Sequence, residues 1–268
     1  MSSIDDLFRR LRAEGRKAFM PFVTAGDPDL DFTADVLATL IDRGADLCEV
    51  GIPYSDPIAD GPVIQASYQR ALTKKVKVES ILDCLGRNRA RLKAPLVTMV
   101  SYAIIHRQGI EKYVTAAKAA GVAGAIVPDL LIEESSAMAE VCKRHDFSLI
   151  QLITPTTPRE RALRIVQGST GFVYYVSVTG ITGERTEIPP ELVDSVGWLR
   201  ERTDLPICIG FGISRPEHIK LLAPVADGVI VGSAIVRRIA EAATRPRADV
   251  LKEIGDYAAG LVAACKAT

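Results

Sequence analysis

The residue best placed to do chemistry is Glu49, a carboxylate within an apolar segment that reads Asp-Leu-Cys-Glu-Val-Gly-Ile-Pro over 46–53. Side chains alternate between the two faces of a β-strand, so Cys48 and Val50 suit a face packed against helices, and Glu49 turns to the other. In a closed sheet that other face is the interior, where burial raises the pKa of a carboxyl and makes it a candidate proton shuttle near neutral pH. The alternative is an interior glutamate that is paired with a lysine, an arginine or a backbone amide.

The loop that follows, 53–62, presents two more carboxylates, Asp56 and Asp60. Three prolines and Gly61 restrict its conformations, and a rigid loop suits an acid that must be held in a fixed position. A proline-rich surface turn with solvated aspartates is the alternative.

Three glycine-rich segments lie in the second half of the chain. Gly-Phe-Gly-Ile-Ser at 210–214 and Gly-Val-Ile-Val-Gly-Ser-Ala at 228–234 allow backbone N–H groups to approach an anion, and a helix that begins near Ser233 adds its dipole. Thr-Gly-Ile-Thr-Gly-Glu-Arg-Thr at 179–186 has the composition of a lid that closes over a substrate. The alternatives are simple turns for the first two segments and a disordered surface insertion for the third.

The apolar pattern predicts a scaffold that brings these segments together. A stretch with helical periodicity follows each apolar run, and the clearest is 31–43, with Gly44 as its stop. Eight strand–helix units predict a parallel sheet closed into a (β/α)8 barrel, the TIM barrel fold, with an open doubly wound sheet as the alternative. Loops 51–61 and 179–190 then lie at the C-terminal face, where the active sites of barrels are built. The apolar runs begin near Ala18, Asp46, Leu96, Ala123, Phe147, Gly171, Pro206 and Asp227.

Composition excludes several classes of protein. A chain of 268 residues is usual for one barrel, so we expect a single domain over 1–268, with an extra amphipathic helix at the N-terminus instead of a secretory signal. Lys plus Arg and Asp plus Glu both number 33, and no apolar run approaches about 20 residues, so neither nucleic acid nor a membrane is expected as a partner. Five scattered cysteines favour a reduced, cytoplasmic location, and three histidines without metal-ligand spacing give no metal site.

Taken together, the motifs resemble the tryptophan synthase α subunit family over nearly the whole length. The stretch 49–62, Glu-Val-Gly-Ile-Pro-Tyr-Ser-Asp-Pro-Ile-Ala-Asp-Gly-Pro, looks like the family's signature, with both acids at their expected separation. Motifs at 21–28, 127–130, 180–183 and 210–213 occur in the family's order. Several ordered motifs are a more specific signal than one.

The resemblance implies a lyase that cleaves indole-3-glycerol phosphate by a retro-aldol reaction to indole and glyceraldehyde 3-phosphate. Glu49 would act as acid and then as base at the reacting carbons. Asp60, held ionised, would hydrogen-bond the ring N–H and stabilise the positive charge that develops on the indole. The family's substrate-contacting tyrosine corresponds here to Tyr174 and not to Tyr175.

The resemblance also implies the rest of the substrate site and the partner. No cofactor is expected in this chain, because pyridoxal phosphate belongs to the β subunit, with which the family forms α2β2 complexes. Residues carried over as the indole pocket are Phe22, Ile64, Met99, Ile126, Ile153 and Phe211. Residues carried over as contacts to the phosphate or to the substrate near it are Thr182, Gly183, Gly210, Gly212, Gly232 and Ser233.

The chain departs from the family pattern at a few positions. Cys48 stands where an aliphatic residue is usual, Ile104 where asparagine is usual, and Leu131 where proline is common. The last two lie in loops that the family uses near its β subunit, so they put the details of partner contact in doubt. The alternatives are another phosphate-binding barrel, such as a sugar-phosphate isomerase or a thiamine-phosphate-synthase-like transferase, a catalytically silent scaffold, and a free-standing lyase that works without a β subunit.

Overall fold

The computed structural model describes residues 2–57, 60–176, 190–210 and 212–266, with side chains described from 192 onward in the third range. Three of the predicted substrate-binding residues, Thr182, Gly183 and Phe211, lie outside these ranges. So does the lid segment predicted at 179–186.

Within the described residues, nine parallel strands form one sheet in the order β5-β4-β3-β2-β1-β9-β8-β7-β6. The two edge strands, β5 and β6, are consecutive in the chain and separated only by Gln151, whose carbonyl accepts a hydrogen bond from the Tyr174 N–H at 3.1 Å. The edges are therefore two halves of one interrupted strand, and the sheet closes into the predicted eight-stranded barrel. The strands are β1 Ala18–Thr24, β2 Cys48–Gly51, β3 Leu96–Met99, β4 Val122–Ile126, β5 Ser148–Ile150, β6 Leu152–Ile153, β7 Val173–Val176, β8 Ile207–Gly210 and β9 Gly228–Val231.

Helices surround the sheet, and α2, Leu30–Asp42, lies within one residue of the helix predicted over 31–43. The Asp29 side chain accepts the Phe32 N–H at 2.8 Å and caps α2, and Gly44 follows that helix with a φ of 99°. The helices are α1 Ser3–Ala13, α2 Leu30–Asp42, α3 Pro62–Thr73, α4 Val78–Arg87, α5 Tyr102–Gln108, α6 Ile110–Ala119, α7 Ser136–Arg144, α8 Arg159–Gly168, α9 Pro190–Arg200, α10 Pro216–Leu222, α11 Ser233–Ala240 and α12 Arg247–Lys266, with 3-10 turns at Ile132–Glu134 and Glu241–Ala243.

The strands separate two apolar layers. On β1, Phe19 and Val23 belong to an outer core between sheet and helices, while Met20 and Phe22 belong to an inner core inside the barrel. This alternation follows from the pleat of the strand. It assigns any side chain of a strand either to the helices or to the barrel interior.

The N-terminal helix α1 closes one end of the barrel. Its apolar face, Ile4, Leu7, Phe8 and Leu11, is buried and belongs to the inner core, and the Phe8 and Phe172 rings lie 6.0 Å apart. The amphipathic helix predicted from the sequence is confirmed. Since this end is filled, the interior opens at the opposite, C-terminal ends of the strands.

Candidate active site

Glu49 faces the barrel interior, as strand alternation predicts. It lies between Phe22 on β1 and Val97 on β3 in the strand register, and its side chain is fully buried. Neither carboxyl oxygen has a hydrogen-bond partner among the described residues, so the alternative of a paired interior glutamate is not what the structure shows. Burial raises the pKa of Glu49 well above its ordinary range, because an ionised carboxylate is poorly solvated there.

Gly51, the last residue of β2, leaves space for two aromatic side chains. A Cβ atom at Gly51 would collide with the Phe22 ring and would lie 2.9 Å from the Tyr68 hydroxyl. The Tyr68 ring in turn packs 5.6 Å from the Tyr54 ring, measured between centroids. An apolar, aromatic wall therefore surrounds the carboxyl of Glu49.

Asp60 is held at the start of α3 and is half-buried. Its N–H donates to the Pro57 carbonyl at 3.0 Å, and its own carbonyl accepts from the Gln65 side chain at 2.8 Å. Burial raises the pKa of Asp60 to about 6. With a pKa of about 6 the Asp60 carboxyl is mostly ionised at pH 7 and becomes protonated as the pH falls below 6. Its expected role as an ionised carboxylate stays a prediction.

Tyr174 points into the barrel, and Tyr175 points out of it. Tyr174 is a member of the inner core, whereas Tyr175 belongs to the outer core and lines a small cavity of about 130 Å³. A side chain at Gly210 would collide with the Tyr174 ring, so the glycine ending β8 is what allows the ring to lie there. Burial, and then the charges of Glu49 and Asp60, raise the pKa of Tyr174 well above its ordinary range, which places Tyr174 in the field of both acids.

The structure brings together four of the apolar residues predicted for the indole pocket and separates a fifth from them. Phe22, Ile64, Met99 and Ile126 all belong to the inner core. Ile153 packs in the outer core and lines the small cavity beside Tyr175, which corrects its predicted place. Because Ile150 faces inward, strand alternation turns residue 152 inward and 153 outward, and Leu152 indeed packs against the inner core.

The predicted anion site has the expected local geometry where it is described. Helix α11 begins at Ser233, and the Gly232 carbonyl accepts the N–H groups of Ile235 and Val236 at 2.9 and 3.0 Å. The earlier N–H groups of such a first turn have no partner within the helix. Gly212, in the loop after β8, has a φ of 80°, a conformation that favours glycine.

Side chains that the sequence analysis missed hold the loop after β8. The Ser214 N–H donates to Nδ1 of His218 at 3.3 Å, and the Tyr257 hydroxyl donates to the Ser214 carbonyl at 2.7 Å. The Arg238 guanidinium of α11 lies 3.8 Å from the centroid of the Tyr257 ring. Helix α12 thus connects the loop after β8 to the helix after β9, and its contribution could not be found from local motifs.

A wide groove lies beside the loop that follows Glu49. Its volume is about 1090 Å³, and it runs between that loop and helices α4 and α5. Ile104 lines the groove, while Leu131, 53% exposed, lies outside it. The Asp129 carboxylate accepts the Ser101 hydroxyl and the Tyr102 N–H, each at 2.7 Å, and so fixes the loop after β4 against α5. The groove residues nearest the acids are Ile52, Pro53, Tyr54, Ser55 and Asp56.

Two further properties concern only the described part of the chain. It contains no group of three or more His, Cys, Asp or Glu side chains arranged to hold a metal ion. None of its helices combines the length and the apolar character needed to cross a membrane.

Comparison with known proteins identifies the family of this barrel. The model of the family described as tryptophan synthase alpha chain matches residues 8–263. The chain belongs to this family. A tryptophan synthase alpha chain of Rhodopirellula baltica is 58% identical over 268 residues, covering 96% of each chain, and one of Arabidopsis thaliana is 44% identical over 89% of this chain and 87% of its own.

Solved structures of tryptophan synthase agree with the fold. A tryptophan synthase subunit alpha from Legionella pneumophila superimposes with a TM-score of 0.90 at 34% identity over 100% of both chains. A tryptophan synthase of Mycobacterium tuberculosis gives a TM-score of 0.89 at 31% identity, covering 99% of this chain and 98% of that one. The chain is thus a TIM-barrel enzyme subunit of the lyase class, with the alpha-subunit role in tryptophan biosynthesis.

Proposed function

We propose that this alpha chain cleaves indole-3-glycerol phosphate to indole and glyceraldehyde 3-phosphate, with Glu49 and Asp60 as its catalytic residues. The observation that carries the proposal is the carboxyl of Glu49, fully buried on β2 with no hydrogen-bond partner among the described residues. Leaving a buried polar group unsatisfied costs on the order of 1–3 kcal/mol. A cost of this kind is retained where the group has work to do on a ligand.

The reaction breaks one carbon–carbon bond and transfers a proton, through Glu49, from a side-chain hydroxyl to the indole ring. Glu49, protonated because its pKa is raised, donates its proton to ring carbon 3 of the indole. The bond from carbon 3 to the side chain then breaks, and the adjacent hydroxyl becomes the aldehyde as its proton passes to the Glu49 carboxylate. The carboxyl is regenerated, so Glu49 serves first as acid and then as base.

Asp60 would stabilise the positive charge that protonation places on the ring. An ionised carboxylate beside the ring N–H lowers the energy of the indoleninium most when that charge is greatest, in the transition state. The pKa of about 6 leaves Asp60 ionised at neutral pH. The two acids thus differ in protonation state because Glu49 is the more deeply buried.

The remaining parts of the substrate have matching surfaces. We assign the indole to the inner-core wall, with Leu152 in the place predicted for Ile153. We assign the phosphate to Gly232 and Ser233 at the start of α11, to Gly212 in the loop after β8, and to the predicted Gly183. Further proposed contacts to the substrate are Thr182, Gly210 and Phe211. Inner-core members proposed as this wall are Phe22, Ile64, Met99, Ile126, Leu152 and Tyr174.

We further propose a β-subunit partner in an α2β2 complex, with pyridoxal phosphate in the β subunit and no cofactor in this chain, in the cytoplasm. The groove of about 1090 Å³ supports docking next to the site, because its wall includes the loop directly after Glu49. Pressure on that loop can reposition Glu49 and Asp60 together. Ile104 presents an apolar side chain to the groove, so a heterologous β subunit should activate less well.

The test is a lyase assay of the purified chain with indole-3-glycerol phosphate, alone and with its cognate β subunit. We expect indole release that rises at least about tenfold with the β subunit, equivalent to about 1.4 kcal/mol of coupling. Glu49→Gln should lower turnover at least about a hundredfold. Absence of cleavage under both conditions refutes the proposed reaction, and high activity without any response to the β subunit identifies a free-standing lyase.

A further inference from the structure

Tyr68 of α3, like Glu49, carries an unsatisfied polar group in the inner core. The side chain is 1% exposed, and its hydroxyl has no hydrogen-bond partner among the described residues. A phenylalanine would fill the same space without burying a hydroxyl. The hydroxyl therefore lowers stability in the free protein unless a ligand supplies its partner.

The hydroxyl lies within the site and not behind it. It is 2.9 Å from the position of a Cβ atom at Gly51, two residues after Glu49, and its ring packs against Tyr54 of the loop that carries Asp60. Burial, followed by the charges of Asp60, Tyr54 and Glu49, raises the pKa of Tyr68 well above its ordinary range. Tyr68 thus remains a neutral hydroxyl that can donate a hydrogen bond.

One polar group of the proposed substrate has no partner among the residues assigned so far. In the proposed complex Asp60 accepts a hydrogen bond from the ring N–H, and the start of α11 binds the phosphate. Glu49 accepts the proton of the reacting hydroxyl. The second hydroxyl, on the carbon next to the phosphate-bearing carbon, is not altered by the reaction. It must still exchange its hydrogen bonds with water for bonds to the protein.

Building on the proposed function, we propose that the Tyr68 hydroxyl binds the unreactive hydroxyl of the substrate's three-carbon chain and so positions the chain against Glu49. Tyr68 is then a substrate-binding residue that distinguishes a hydroxylated chain from a plain one. The sequence pattern contains its signal, because Tyr68 follows Ile64 by four residues and lies on the same face of α3.

The experiment compares Tyr68→Phe with the unmodified chain on two ligands. One is indole-3-glycerol phosphate, measured as kcat/KM, and the other is indole-3-propanol phosphate, which keeps the ring and phosphate but lacks both hydroxyls, measured as Kd. We expect Tyr68→Phe to lower kcat/KM about 3- to 10-fold, as for one neutral hydrogen bond, and to leave the Kd of the propanol analogue within about twofold. The melting temperature should be unchanged or higher, since the variant buries one polar atom fewer.

Tyr113→Phe is the matched control. Tyr113 is also fully buried, but its hydroxyl bonds the Thr98 hydroxyl at 2.8 Å in the outer core, so this variant should change neither ligand measurement. Equal losses on both ligands for Tyr68→Phe would show a packing role only and overturn the inference. Unchanged values for both ligands would overturn it as well, whereas an unmodified chain that does not cleave the substrate would instead refute the proposed function.

Discussion

Replacing Glu49 by glutamine should stabilise the protein increasingly as the pH rises. In the folded state burial raises the pKa of Glu49, while in the unfolded chain the carboxyl titrates near its ordinary value of 4.5. Below pH 4.5 both states are protonated, and ionisation contributes nothing. Above pH 4.5 the carboxyl ionises in the unfolded state only, and this ionisation stabilises the unfolded state. The free energy of unfolding therefore falls with pH until the folded-state pKa is reached.

The size of the effect follows from linkage. Each pH unit between the two pKa values lowers the free energy of unfolding by about 1.4 kcal/mol. Because burial raises the pKa of Glu49 well above 4.5, glutamine should gain this amount over the unmodified chain for each pH unit up to the folded-state pKa. For a protein of this size each such pH unit corresponds to about 3–6 °C in melting temperature.

The assay is urea unfolding of both chains at half-unit steps from pH 5 to 8. Asp227→Asn is the control: burial raises the pKa of Asp227, but hydrogen bonds from Arg200, Arg12 and the Ile207 N–H outweigh this and lower it. Asp227 is therefore ionised in both the folded and the unfolded protein throughout the range. The difference in the free energy of unfolding between this variant and the unmodified chain should not vary with pH. A pH-independent difference for Glu49→Gln would refute the buried, unpaired carboxyl.

Three other expectations test the neighbouring positions. Asp60→Asn should lower kcat about 10- to 100-fold at pH 8 with a smaller change in KM, and should abolish a fall of kcat/KM below pH 6 in the unmodified enzyme, because burial raises the pKa of Asp60 to about 6. Ser233→Asp should raise the Kd of glyceraldehyde 3-phosphate at least about tenfold with an unchanged circular dichroism spectrum, since it places a negative charge at the anion site. Gly210→Ala should cost about 1–3 kcal/mol in urea unfolding and lower activity, because its Cβ collides with Tyr174; Gly197→Ala, with nothing within 4 Å, should be neutral or stabilising.

The fold was predictable because each strand is a short β-branched run followed by a helix. The predicted strand starts agree with the structure to within about two residues, and Gly44 and Ser233 mark helix boundaries as expected. The interruption at Gln151 was not predictable, since 147–153 is mainly apolar and reads as one strand. It arises where β5 pairs with β4 and β6 pairs with β7, which depends on barrel geometry and not on local sequence.

The candidate site, like the fold, was predictable from the sequence only in part. Alternation along β2 was enough to turn Glu49 inward, and the same rule applied from Ile150 indicates Leu152 in place of Ile153, which had been assigned by resemblance alone. The pKa of Asp60 could not be read from its loop, because it depends on how deeply the folded chain buries the carboxyl. His218 and Tyr257 act on Ser214 from two different helices, a contact that exists only in the folded chain.

The other buried carboxylates of the described residues are paired with arginines, whereas Glu49 is not. Asp46 and Glu49 are three residues apart on one segment, yet Asp46, at the end closed by α1, accepts the Phe19 N–H at 3.0 Å and an Arg16 N–H at 3.3 Å. Asp227, at the same end, accepts the Ile207 N–H at 2.9 Å as well as two arginines. Among the described residues Glu49 has no such partner. An arginine within reach would hold it ionised and prevent it from donating a proton. Burial is the only cause that raises the pKa of Glu49, and no positive charge among the described residues opposes it. The proposed chemistry requires this, because the carboxyl must hold the proton that it donates to the substrate.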